Sequence, residues 1–359
     1  MAGISPAFVT AFLSVGPAIA LGTAVVNQGN ASVVPECVQA PSSTEDVATI
    51  LGVIIDTSCR FAVKGGGHTR NPDDSVSAGG VTIDMQKMRS VEVSPDQKTA
   101  KVGSGHVLLS LYEGLEKYNL TTLGGRVADV GLGGYLLGGG FSHLSPNYGY
   151  DQERDDFTLA VSQEYSLPIL SPAPFEQLNL IPFEHSTVRL DRTSRLGVIY
   201  HTELTGHRNL FATVTYFPSA DLDKQIQDIM AREIQSLKKA PGFYPNLVIQ
   251  PLYEAAIRSG KQRGGNAAVA LLTVLWENAD DDDRMNAFAQ EWVKKSTATT
   301  KDAGKHYPWL YINYASTDQD PFLSYGEANL QKLRRIQRDL DPQGVFTSEG
   351  LCRGYFKLQ

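Results

Sequence analysis

A histidine that directly follows three consecutive glycines, Gly65-Gly66-Gly67-His68, is the most chemically suggestive feature of this 359-residue sequence. Consecutive glycines let backbone N–H groups approach an anion closely and form nests that hold pyrophosphate oxygens. A second and longer glycine region offers the same chemistry: Gly124-Gly125, then Gly131, Gly133, Gly134 and Gly138-Gly139-Gly140. One such run reads as an ordinary tight turn, but two of them flanked by strands can clamp one diphosphate from both sides. His68 then sits where backbone meets ligand, either as a hydrogen-bonding residue or as a nucleophilic imidazole attached to a cofactor.

Several other chemistries are excluded. Gly131-Leu132-Gly133-Gly134-Tyr135-Leu136 has leucine where a dinucleotide fingerprint needs its third glycine, and no Walker lysine follows any glycine run. The seven histidines form no HExxH motif, and no serine occupies a nucleophile elbow. With 32 Lys+Arg against 39 Asp+Glu, the net charge of −7 excludes bulk electrostatic binding to nucleic acid or an anionic membrane. Three cysteines without a CxxC pair exclude a disulfide-dense scaffold and a Cys-rich zinc module, and no metal site is expected.

The elements that must position these residues follow from periodicity. Ser42, Ser43, Glu45 and Asp46 mark a helix start, with Val47, Ile50, Leu51 and Ile54 at helical spacing. Phe61-Ala62-Val63 and Val81-Thr82-Ile83-Asp84 read as strands, Val91 to Val102 as a hairpin around Pro95-Asp96, and Val107 to Leu115 as a helix. Beyond Tyr150 the pattern predicts strands at Leu210–Phe217, Asn246–Gln250, Ala268–Trp276 and Leu310–Tyr314, with helices at Leu222–Leu237 and Arg284–Lys295. Asp280 to Asp283 suit a helix N-terminus better than a calcium loop, whose ligands interleave. Ser324 and Glu327 predict a capping box opening a helix that stops before Asp341-Pro342. The class is α+β.

No charged side chain precedes Glu36, and the apolar stretch Pro6 to Val26 is broken by Gly16-Pro17, so no stable membrane span is expected. Ala18-Ile19-Ala20 fits a signal-peptidase site without a basic n-region, and both a cleaved leader and an apolar helix stay open. Sequons at Asn30 and Asn119 favour secretion, where Cys37 and Cys59, flanking one helix, can bridge and leave Cys352 free.

Phe61 to Thr69 together with Gly79 to Asp84 resemble the first flavin loop of FAD-linked oxidases, the berberine-bridge-enzyme-like group of the vanillyl-alcohol oxidase superfamily. Gly124 to Gly134 with Leu137 to Gly140 resembles that group's second loop. Tyr311-Ile312-Asn313-Tyr314, Ser324-Tyr325-Gly326, Asn329, Asp341 to Phe346 and Phe356-Lys357-Leu358 resemble its closing motifs, in a fungal style. The resemblance implies a PCMH-type FAD-binding domain plus a substrate domain whose antiparallel sheet is covered by helices. The expected division is an apolar leader over 1–35, the first part of the FAD domain over 36–150, the substrate domain over 151–306, and a segment returning to the FAD domain over 307–359.

By the same resemblance Lys64, Gly65, Gly66, Gly67, His68, Thr69, Gly125, Val127, Val130, Gly131, Gly133, Gly134, Gly138, Asn313 and Tyr314 contact FAD. His68 matches the histidine bonded to the flavin 8α-methyl. Val127 stands where bicovalent members carry cysteine, so at most one covalent link is expected. Val130 matches a position that influences oxygen access, which suits O2 as acceptor. Tyr311 matches a proposed base; its alternative is a half-buried strand residue. A tyrosine ordinarily titrates near pH 10, so this base needs help from its surroundings. The implied partner is a small organic substrate, whether sugar, alkaloid or polyketide.

The pattern breaks after Tyr148-Gly149-Tyr150, where a block of FAD-domain strands gives way to Asp151–Asp155 and the strand Phe157–Val161. Two readings follow: a working oxidase that tolerates the gap, or a flavin-free scaffold serving as a binding protein or redox-free cyclase.

Overall fold

The computed structural model describes residues 9–15, 35–69, 71, 74–122, 124–125, 127–139, 144–165, 167–197, 207–252 and 267–358. The Ala18-Ile19-Ala20 triplet, the Asn30 sequon and Gly140 lie outside these described residues. The chain divides into two units: residues 24–141, 197–205 and 317–359 form one, and residues 1–23, 142–196 and 206–316 the other. β1 (Val9–Val15) is a strand, not the apolar helix that the sequence left open. Its β-branched Val9, Thr10 and Val15 favour extended backbone.

In the first unit, β2 (Cys37–Gln39) leads into α1 (Thr44–Thr57), followed by β3 (Phe61–Lys64) and β4 (Val81–Asp84). Ser43 and Asp46 cap α1 reciprocally, at 3.0 and 3.2 Å. The strands are parallel in the order β2-β4-β3, with Cys37 and Phe61 both opposite Val81. The Cys37–Cys59 bridge that the sequence left open does not form. Both thiols are free and exposed. β5 (Val91–Val93) and β6 (Ala100–Val102) form the hairpin, with Val91 opposite Val102. α2 (Leu108–Glu116) and α3 (Leu132–Leu137) pack Leu108, Leu111, Tyr112, Leu115 and Leu132 into one apolar cluster.

The second unit is built on an antiparallel sheet. Its strands are β7 (Leu144–Asp151), β8 (Asp156–Tyr165), β9 (His185–Ser186), β10 (Arg189–Leu190), β11 (Arg208–Tyr216), β12 (Tyr244–Leu252), β13 (Ala267–Trp276) and β14 (His306–Tyr307). They run in the order β10-β1-β8-β7-β12-β13-β11-β14, with β9 also paired to β1. Because β7 pairs with β8 and β12, the unit begins at Ser142 and not after Tyr150. It extends to Ser316, not 306. Helices α4 (Ala220–Glu233) and α5 (Asp282–Asp302) cover one face. There Leu210, Ala212 and Val214 meet Ile226, Met230, Phe288 and Trp292, all buried. The acids before α5 are engaged by side chains: Arg208 pairs with Asp282, which also accepts from Trp276 Nε1 at 2.8 Å, and Arg284 pairs with Asp281 at 2.6 Å. Residues 310–314 form a turn instead of the expected strand.

The chain then returns to the first unit through α6 (Glu327–Leu340). The Ser324–Glu327 capping box does not form. Gly326 caps α6 with φ of 85°, while Ser324 Oγ donates to the Pro321 carbonyl. Asp341 stops the helix and accepts the Val345 and Phe346 N–H groups, each at 2.8 Å. The following segment lies along the free edge of β3: Phe61 bridges Cys352 in parallel, its N–H donates to Leu351, and its ring meets Phe346 edge-on. Among the described residues no helix is long and apolar enough to cross a membrane.

Truncating Ile226, wholly buried between α4 and the sheet, is expected to cost about 2–5 kcal/mol of stability. Denaturant unfolding of Ile226→Ala tests this, and a loss well under that range would place the core elsewhere.

Candidate active site

β3 ends where Lys64 Nζ meets Asp84 Oδ2 on β4 at 3.2 Å. That carboxylate, with only 6% of its side chain exposed, anchors Lys64 at the sheet and leaves Gly65 to begin the loop. A Cβ added to Gly66 would lie 2.5 Å from the Gly131 nitrogen, 2.7 Å from its Cα and 2.9 Å from the Asp129 carbonyl. A Cβ on Gly131 would collide with Gly66 in return. The two glycine loops therefore touch backbone to backbone, an approach that only glycine permits. Gly67 takes a left-handed φ of 76° and turns the chain into His68. The imidazole is mostly buried; its Nε2 stands 3.5 Å from Asp129 Oδ1 and makes no hydrogen bond. Thr69 Oγ1 lies 3.4 Å from Ser75 Oγ.

The second loop is stitched to the start of α2. Leu108 and Leu109 N–H groups donate to the Val130 and Ala128 carbonyls at 3.0 and 2.8 Å, and Leu132 donates to His106 at 2.9 Å. Val127 is buried, and Val130 packs half-buried against the α2 cluster. Gly124 and Gly125 have a packing explanation: the Tyr112 hydroxyl donates to the Gly125 carbonyl at 2.8 Å and fills the space a Cβ on Gly124 would need. Gly133 and Gly134 lie in the first turn of α3, and Gly138 closes that helix. Asp129 was not among the sequence candidates. Its only signal was its place between Val127 and Val130, because the contact with His68 arises from a loop some sixty residues earlier in the chain.

These residues fit a flavin dinucleotide. The junction of the loops is a cradle that any side chain would fill, and beside it lies a buried imidazole nitrogen without a hydrogen bond.

Tyr311, Asn313 and Tyr314 belong to the other unit. The Tyr314 N–H donates to the Tyr311 carbonyl at 2.8 Å, and this turn carries the Asn313 amide back onto Tyr311, where Nδ2 donates to the hydroxyl oxygen at 2.9 Å. Tyr311 is buried, and its ring meets Tyr314 edge-on at 4.7 Å and Trp309 at 5.9 Å. Tyr314 in turn meets Phe211 at 6.1 Å. A donor aimed at a phenol oxygen stabilises its deprotonated form, which suits a base.

Residues 35–154 match the family described as FAD binding domain. The FAD-dependent monooxygenase tpcD of Cochliobolus heterostrophus is 28% identical over 92% of this chain and 88% of its own length. That alignment runs to 453 positions, more than the 359 residues of the whole chain, so the relative has internal sequence that this chain lacks. Among solved structures, the glucooligosaccharide oxidase of Acremonium strictum superposes with a TM-score of 0.66 at 14% identity, covering 91% of this chain and 92% of that one. BBE-like 1 of Physcomitrella patens gives 0.65 at 14% identity, covering 90% of each. Both share the fold. Residues 35–154 thus form an FAD-binding domain, and the chain is similar along most of its length to fungal FAD-dependent oxidoreductases and shares the fold of berberine-bridge-enzyme-like structures.

Proposed function

We propose that the chain oxidises an alcohol, or a comparable C–H/O–H or C–H/N–H group, of a small organic substrate in secondary metabolism, with dioxygen as final acceptor. FAD, when bound, supplies the two-electron acceptor at N5. The glycine loops around Gly66 and Gly131 hold its diphosphate and ring system against bare backbone. His68 is the residue that tethers it at the 8α position. Val127, in place of cysteine, leaves that tether single. Tyr311 takes the substrate hydroxyl proton as the carbon loses its hydride, and Asn313 holds the phenol oxygen ready. The observation that carries the reading is the backbone contact of the two glycine loops beside His68.

A second reading, a scaffold that no longer binds flavin, draws on the internal sequence present in the tpcD relative and absent here. The sequon at Asn119, exposed just after α2, supports a secreted glycoprotein.

Purified protein is expected to be yellow, with absorption that survives acid precipitation. His68→Ala should keep the colour and lose its acid stability; colourless wild-type protein would sink the oxidase. Gly131→Ala should lower the bound flavin and cost about 1–3 kcal/mol of stability, since its Cβ must push the Gly66 loop away. Unchanged flavin occupancy would show that the junction is not the cradle. Tyr311→Phe should reduce kcat roughly 10²–10⁴-fold while flavin stays bound. A variant with wild-type turnover would move the base elsewhere.

A further inference from the structure

The backbone alone holds the two glycine loops together. The second loop is fastened where the Leu108 and Leu109 N–H groups donate to the Val130 and Ala128 carbonyls. The first is pressed onto it at Gly66, whose Cβ would lie 2.5 Å from the Gly131 nitrogen and 2.9 Å from the Asp129 carbonyl oxygen. Gly67, with its φ of 76°, then turns His68 toward the same loop. Both loops are in place before any side chain is counted. What the junction adds is a carboxylate oxygen, Asp129 Oδ1, set 3.5 Å from His68 Nε2.

That contact makes the two ring nitrogens of His68 unlike. Nε2 is buried and makes no hydrogen bond, while 14% of the side chain stays open to solvent. A neutral imidazole carries one N–H and one lone pair, and the group facing either nitrogen decides which is which. A bare Nε2 turned toward a carboxylate would set lone pair against lone pair where water cannot separate them. The proton therefore belongs on Nε2 and the lone pair on Nδ1. Nδ1 makes no hydrogen bond among the described residues, so its lone pair is available to a ligand.

We propose that Asp129 is the positioning residue for the covalent link: by holding the proton on Nε2, it makes Nδ1 the atom that bonds the flavin 8α carbon. This rests on the tether at His68 proposed above and adds which nitrogen is used and what prepares it. Bond formation from Nδ1 to the 8α carbon breaks one C–H bond of that methyl and sends its proton to solvent. It also places two electrons in the flavin, from which dioxygen, the acceptor proposed above, removes them as hydrogen peroxide. The bonded imidazole is cationic for as long as Nε2 keeps its proton, and the carboxylate beside Nε2 offsets that charge. The aspartate of a serine-protease triad acts on its histidine in this way, fixing the tautomer and stabilising the imidazolium without itself taking the proton.

Three forms of the full chain test this, wild type, Asp129→Asn and Asp129→Glu, each incubated in air with excess FAD. Visible absorbance reads total flavin, flavin retained through acid precipitation reads the linked share, and the melting temperature reads folding. The Asn amide can donate to Nε2 and so press the ring proton onto Nδ1. Asp129→Asn should bind flavin and melt as the wild type does, while the link forms about tenfold more slowly or worse. Asp129→Glu keeps a carboxylate and should link faster than Asp129→Asn. NMR of the flavin-bearing peptide from wild type should place the bond at Nδ1. Linking by Asp129→Asn at the wild-type rate, Asp129→Glu no faster than Asp129→Asn, or a bond at Nε2 each overturns the proposal. Loss of flavin binding with a lowered melting temperature in both variants overturns it too, because the contact would then be structural. The oxidation proposed above fails separately. Yellow wild-type protein that releases all its flavin to acid overturns this inference and leaves the oxidase; acid-stable flavin in protein that oxidises no substrate does the reverse.

Discussion

The contact of Gly66 with Gly131 is the constraint to which the flavin-binding half answers. Two peptide backbones meet there at a distance that admits no side chain, so each loop must be delivered accurately by what precedes it. The first comes off β3, whose register is set by β4 on one side and by the C-terminal segment at Phe61 on the other. The second is held by hydrogen bonds from the opening turn of α2. The hydrophobic cluster of Leu108, Tyr112 and Leu132 thus has a direct bearing on the site, because it fixes the helix that fixes the loop. His68 and Asp129 enter as neighbours only because the glycines on either side of the junction allow it.

The sheet unit uses a different device. Successive residues of each strand point in turn to the helix-covered face and to the opposite one, where polar residues of β11 and β12 are mixed with Val269, Leu271 and Leu275 of β13. The apolar face is closed permanently by α4 and α5 and provides the stability. Buried polar groups left unpaired on the opposite face lower stability. The tyrosine turn packs against Phe211 of that face without taking a strand position.

Much of this was legible in the sequence. Helical spacing located α1, α2, α4 and α5, and β-branched runs located β3, β4, β11, β12 and β13 to within a few residues, because each buries a regular stripe. The break after Tyr150 was visible as an interrupted motif order. Other features were hidden for physical reasons. Leu310 and Ile312 alternate with polar residues as a strand would, and only the backbone bond from Tyr314 to Tyr311 reveals a turn. Ser324 and Glu327 have capping-box spacing, but Asp320 and Gly326 start two separate helical segments instead. Asp129 gains its meaning from a partner distant in sequence. Asn246 and Gln250 flank the apolar run Leu247-Val248-Ile249 as strand-end polar residues would, and nothing local shows that both are buried.

The edge of β3 is completed by residues 345–353, almost three hundred positions downstream. During synthesis at about 5–20 residues per second, the unit carrying the glycine loops cannot close until residues 345–353 have left the ribosome. The intervening sheet unit has most of its strands available well before then. Nascent chains are thus expected to present a formed middle before a closed cofactor cradle, and shortening the tail removes the last brace on the strand that feeds Gly66.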